Sequence, residues 1–88
     1  MELQREIFFK QIGGKIAYYR MLAGMQQAEL ANKAFISQST LSRIEHGTYN
    51  KNLSFSLLLD IAKGLELDPT LLFSFNEKEK SMWLKLNS

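Results

Sequence analysis

Residues 27–47 read Gln27-Ala28-Glu29-Leu30-Ala31-Asn32-Lys33-Ala34-Phe35-Ile36-Ser37-Gln38-Ser39-Thr40-Leu41-Ser42-Arg43-Ile44-Glu45-His46-Gly47. This stretch predicts one short helix over about 27–34, a tight turn, and a second short helix over 38–46. In the second helix Leu41 and Ile44 fall on one side with Ile36 and predict its buried face. Left outside are Gln38, Ser39, Ser42, Arg43 and His46. That outer face is polar but carries few long charged side chains, whereas an ordinary solvated helix is rich in Lys and Glu pairs. Glutamine can pair bidentately with adenine, arginine with guanine, and serine with several base edges. The face therefore suits the major groove of a DNA duplex.

Outward from this stretch, one device recurs at four predicted helix starts. An apolar residue precedes the cap and a second follows at the fourth helical position, the hydrophobic staple. Met25, Gln26 and Leu30 open the first helix of the pair; Ile36, Ser37 and Leu41 open the second. Leu53, Ser54 and Leu58 open a further helix, and Leu67, Asp68 and Leu72 open another, with Pro69 at the favoured first position. Gln26 is the weakest cap of the four, although Glu29 can reach back to its backbone N–H. Leu58, Ile61, Ala62 and Leu65 repeat at helical spacing and predict a buried face.

Upstream, Ile12, Ile16 and Tyr19 form one apolar stripe on a helix expected over roughly 3–22, ending at Gly24. Gly13-Gly14 within it costs about 1 kcal/mol per glycine relative to alanine. Either the helix breaks there or a neighbouring helix approaches closely. Strand signals are nearly absent, so the fold class is all-α with five or six helices.

The chain of 88 residues makes one domain, with 45% hydrophobic residues and no cysteine. A disulfide framework and thiolate metal sites are excluded, and a reducing cytoplasm fits. The longest apolar runs are too short to span a bilayer, and the N-terminus, which carries acids and lacks a long apolar core, is not expected to be a signal peptide. Between Lys10 and Lys63 seven bases stand against three acids, while the other acids gather at the two ends. A mildly basic centre suits a phosphate backbone. His46 is the only histidine, so metal and acid–base roles have no partners. Ser37 reads as a cap, and no carboxylate pair, catalytic triad or cofactor loop supports an enzyme. No cofactor and no small-molecule ligand are expected.

The region from about Ile12 to Phe73 resembles the helix-turn-helix domain of phage repressor and Cro-type regulators, the xenobiotic-response-element class. The resemblance rests on Ile12-Gly13, Ile16, Arg20, Gln27 to Ala31, Ile36 to Glu45, Gly47, and Leu58 to Leu65 followed by Leu71-Leu72. It implies a lambda-repressor-like fold with the DNA-binding domain over 1–75. It also implies roles residue by residue. Gln38, Ser39 and Arg43 would contact bases. Gln27, Thr40, Ser42, Thr48, Tyr49, Asn50 and Lys51 would hold the sugar-phosphate backbone, which positions the protein without specifying sequence. Arg20 and Glu45 would form a structural salt bridge between the first and third helices.

Two departures from that pattern stand out. Phe35 occupies the turn where glycine is usual. In a left-handed conformation it would be strained by about 1–2 kcal/mol; otherwise the turn differs. An aromatic there is expected to pack against the first helix or the protein surface. Asn52-Leu53-Ser54 stands where many members have proline, a variant similar to the controller regulators of restriction-modification systems.

The tail, 76–88, is expected to be a dimerisation or core-completing segment, as a sixth helix or a strand. Leu72, Phe73, Phe75, Met82, Trp83 and Leu86 exceed what the earlier helices can cover. The favoured outcome is a symmetric homodimer using these residues; the other is a monomer core completed by the tail. The expected function is a transcriptional regulator, a repressor, reading an inverted-repeat operator in double-stranded DNA within a prokaryotic or phage-infected cytoplasm. The competing readings are a protein-interaction module on the same scaffold, such as an antitoxin or anti-repressor, and a restriction-modification controller.

Overall fold

Ser37, Ser54 and Asp68 cap as their side chains allow. Ser37 Oγ accepts from the Thr40 N–H at 3.1 Å, Ser54 Oγ from the Leu57 N–H at 3.1 Å, and Asp68 Oδ1 from the Thr70 N–H at 3.0 Å. Each bond satisfies one of the N–H groups that a helix start leaves without an internal partner. Gln26 makes no side-chain cap bond. The two Thr70 hydrogen bonds, from its backbone and its hydroxyl, hold the Asp68 carboxyl below the usual carboxylate range.

The computed structural model describes residues 2–49, 53–79, 81 and 85, with backbone alone at 2–4. Its elements are α1 (Glu2–Leu22), α2 (Gln27–Lys33), α3 (Gln38–His46), α4 (Phe55–Gly64) and a short 3-10 helix (Pro69–Phe73). There is no strand among the described residues. The last element was expected as an α-helix. Asp68 instead takes the Thr70 amide, and the Leu71 N–H closes on the Asp68 carbonyl at 3.0 Å, a three-residue step that winds the chain more tightly. This winding places Leu72 wholly inside the core.

The core gathers Ile12 and Ile16 of α1, Leu30 and Ala31 of α2, Leu41 and Ile44 of α3, Leu58, Ile61 and Ala62 of α4, and Leu72. These are the periodic apolar positions, so the packing follows from the helical repeat. Tyr19 packs against this core while its neighbour Tyr18 is exposed. Gly13-Gly14 does not break α1. Gly13 is buried where α3 crosses, and a Cβ there would overlap the Ile44 carbonyl oxygen and lie 2.8 Å from that of Glu45. Gly14 has nothing within 4 Å of an added Cβ, and nothing in the structure accounts for it.

The helices α1 to α4 each end in one hydrogen-bond pattern, the Schellman motif. After α1 the Gly24 N–H meets the Met21 carbonyl and the Met25 N–H meets that of Arg20. After α2 the Phe35 N–H bonds Asn32 and the Ile36 N–H bonds Ala31; after α3, Gly47 bonds Ile44 and Thr48 bonds Arg43; after α4, Glu66 bonds Lys63 and Leu67 bonds Ala62. The motif demands a left-handed residue. Gly24 and Gly47 supply it without strain, while Phe35 (φ 63°) and Glu66 (φ 53°) adopt it despite a Cβ. The turn thus keeps the left-handed geometry that glycine usually serves.

Phe35 does not pack as expected: its side chain is 85% exposed. The Schellman backbone carries the left-handed Cα at the surface, so its Cβ points outward. Substituting Phe35→Gly is therefore expected to stabilise the fold. Little packing is lost, and left-handed strain of about 1–2 kcal/mol outweighs the roughly 0.5–1 kcal/mol entropy cost of glycine. Urea unfolding should show a higher midpoint; a lower one would mean the ring contributes packing.

The chain after Phe73 folds back onto α1. Phe75 meets Phe8 edge-on at 5.7 Å, and the Lys15 ammonium lies 5.3 Å from the Phe75 ring centre. Asn76 and Glu79 form a reciprocal capping box, each side chain accepting from the other's backbone N–H at 2.8 Å. Residues 77–79, 81 and 85 are helical, so the described part of the tail is helix and not strand. Leu72 is 0% exposed, which removes it from any interface between copies. Phe73 stacks on Phe55 at 6.1 Å and, like Phe75, is half-buried in its own chain. Met82, Trp83 and Leu86 lie outside the described residues.

Candidate nucleic-acid interface

Ser37 does more than cap α3. Its hydroxyl also donates to Thr40 Oγ1 at 2.9 Å and lies 3.3 Å from Ser39 Oγ. Gln38 and Ser39 follow as the first two helical residues, both exposed, and Arg43 is exposed further along the helix. Arg43 has no carboxylate partner among the described residues, so its five N–H donors remain for a ligand. The three expected base-contacting residues thus occupy one solvent-facing helix whose other side is locked by buried Leu41 and Ile44.

A charged cluster fixes how α3 is presented. Arg20 Nε donates to Glu45 Oε2 at 2.7 Å and Arg20 Nη2 to Oε1 at 3.0 Å, a bidentate pair. Arg20 Nη1 also donates to the Met25 carbonyl at 2.9 Å. One guanidinium therefore joins α1, the loop before α2, and α3. The Glu45 side chain is only 4% exposed and that of Arg20 14%.

Gln27 joins the same cluster, donating from Nε2 to Glu45 Oε1 at 3.0 Å. Its second N–H and its carbonyl oxygen make no other hydrogen bond among the described residues. The pattern of residues did not reveal this link, because nothing local couples positions 27 and 45. The expected backbone-contacting residues otherwise divide. Thr40 Oγ1 is engaged by Ser37, and Thr48 closes α3 by donating its N–H to the Arg43 carbonyl at 2.9 Å. Tyr49 packs its ring against the core, and Asn50 and Lys51 lie outside the described residues. Ser42 is half-buried, and its carbonyl accepts from His46 Nδ1 at 2.7 Å. A carbonyl only accepts, so this contact assigns a proton to Nδ1.

Two short helices about a tight turn, the second polar outside and rigidly braced, define a helix-turn-helix module. The helix-turn-helix family model matches residues 16–72, well over half of the chain. The chain belongs to the helix-turn-helix family of DNA-binding regulators. It is 29% identical, over 63 residues, to an uncharacterised HTH-type transcriptional regulator of Methanocaldococcus jannaschii, covering 72% of this chain and 96% of that one. Among solved structures, the restriction-modification controller protein C.AhdI of Aeromonas hydrophila superposes with a TM-score of 0.69 at 26% identity, covering 74% of this chain and 96% of that one. The wild-type controller protein C.Esp1396I gives a TM-score of 0.67 at 28% identity, with 89% and 91% covered. No helix among the described residues is long and apolar enough to cross a membrane.

Proposed function

We propose that this chain regulates transcription by binding an inverted-repeat operator in duplex DNA as a homodimer, with Gln38, Ser39 and Arg43 reading bases in the major groove. The observation that carries this reading is the outer face of α3. It presents Gln38 and Ser39 at the helix start, which faces base edges in helix-turn-helix modules, and in the last turn Arg43, which has no carboxylate partner among the described residues. The bidentate Arg20–Glu45 bridge supports it by holding that face in a fixed pose. Gln27, Thr40, Ser42 and the loop from Thr48 to Lys51 contact the sugar-phosphate backbone. The dimer forms through the tail, 76–88, with Met82, Trp83 and Leu86 joined by the half-buried Phe73 and Phe75. Operator occupancy alone blocks a promoter, whereas activation needs a further protein contact, so repression is the simpler mode. This activity needs no bound cofactor and no catalytic group, and places the protein at the nucleoid of a prokaryotic cell or a phage-infected one. The likeness to two controller proteins favours a controller-type regulator as the second reading.

Selection from a random duplex library at moderate salt tests the proposal. An inverted repeat should emerge, its half-sites about one helical turn (~34 Å) apart. Gln38→Ala and Arg43→Ala should each relax one half-site position and weaken operator binding by about 1–3 kcal/mol. A folded protein that enriches no sequence would refute operator binding and point to a protein partner. Enrichment of a single half-site would refute the dimer alone.

A further inference from the structure

Among the described residues, three cations already face carboxylates: Arg20 meets Glu45 at 2.7 Å, Lys15 meets Glu79 at 3.5 Å, and Lys33 meets Glu29 at 3.9 Å. Lys10 is exposed and has no carboxylate partner among the described residues. It belongs to α1, yet its stem lies against the residue that ends α3. A Cβ on Gly47 would stand 2.9 Å from Lys10 Cα and would overlap Lys10 Cγ. Gly47 turns the chain at φ 72° into Thr48 and Tyr49. Lys10 therefore leaves α1 beside the last turn of the base-reading helix, at the start of the loop that follows it.

Among the described residues, the backbone donors at that corner are already committed. The carbonyl end of a helix carries partial negative charge. His46 commits its Nδ1–H to the Ser42 carbonyl. The Gly47 and Thr48 amides are both used in closing α3. Among the described residues, a phosphate running past this corner would meet an ammonium from Lys10.

We propose that Lys10 is a phosphate-contacting residue of the DNA interface, through which α1 grips the backbone beside the half-site read by α3. The inference rests on the operator-binding reading and adds to it a contact from outside the two-helix motif. A phosphate contact positions without specifying, so Lys10 sets affinity and salt dependence but not sequence.

The test uses the full chain and the selected operator duplex, with binding measured from about 50 to 200 mM salt. Lys10→Met keeps the stem against Gly47 and removes the charge; Lys10→Arg keeps the charge. For Lys10→Met the slope of log K against log salt should become shallower by about 0.9. Operator and mismatched duplexes should weaken by the same factor, and Lys10→Arg should restore the slope. A Lys10→Met protein with the wild-type slope would overturn the proposal while leaving operator binding intact. A wild-type protein with no salt-dependent duplex binding would overturn both.

Discussion

Replacing Gly13 by alanine is expected to destabilise the protein by about 2–3 kcal/mol, whereas the same change one residue later should stabilise it. On propensity alone both substitutions favour α1 by about 1 kcal/mol. The difference lies in what the new methyl meets. At Gly13 it would overlap the Ile44 carbonyl oxygen and lie 2.8 Å from that of Glu45. These are backbone atoms of α3, which no rotamer change can move aside. Relief requires α1 and α3 to separate, breaking the packing of Ile12 and Ile16 against Leu41 and Ile44. At Gly14 the methyl meets nothing within 4 Å. Urea unfolding of both variants gives the comparison directly, and a neutral or stabilising Gly13→Ala would refute the close helix crossing. The displaced α3 should also weaken operator binding beyond what reduced folding explains, because Gln38, Ser39 and Arg43 ride on it.

The second large effect is expected at the Arg20–Glu45 bridge. Removing one partner of a buried ion pair strands the other charge, at a cost of about 3–5 kcal/mol. Arg20→Ala should approach that range, since the Glu45 side chain is only 4% exposed and would keep Gln27 as its one remaining donor. Glu45→Ala should cost less, about 2–3 kcal/mol by the same reasoning. Arg20 is 14% exposed at its side chain and retains the Met25 carbonyl. The double variant should be less destabilised than the sum of the two, by at least about 1 kcal/mol. Additive losses would mean that the two side chains act independently and that the bridge does not position α3.

The same bridge marks how far the amino-acid pattern reaches. Arg20 and Glu45 were legible as a pair only through resemblance, since 25 residues separate them in the chain. The residue pattern assigns Gln27 to DNA alone and gives no sign of its bond to Glu45. Periodicity ranks a side chain as inward or outward but does not say which outward groups meet. The tail shows the limit differently. Leu72 reads as surplus apolar surface when helices are counted singly, yet the 3-10 turn after Asp68 drops it into the common core.

What the sequence determined by itself is what short-range forces control. Ser37, Ser54 and Asp68 start their helices because a cap needs only its next two or three residues. The apolar repeats choose each buried face because the helical repeat is a property of the backbone. The polar outer face of α3 follows from the same repeat, so the residues proposed to contact bases stand out before any packing is known. The tertiary structure decided what depends on two distant segments meeting. It distinguished Gly13 from Gly14 by the path of α3. It also moved Leu72 from a supposed interface into the core and brought Lys10 against Gly47. Each of these is fixed by close packing between helices, where a single methyl changes the energy by as much as a cap does.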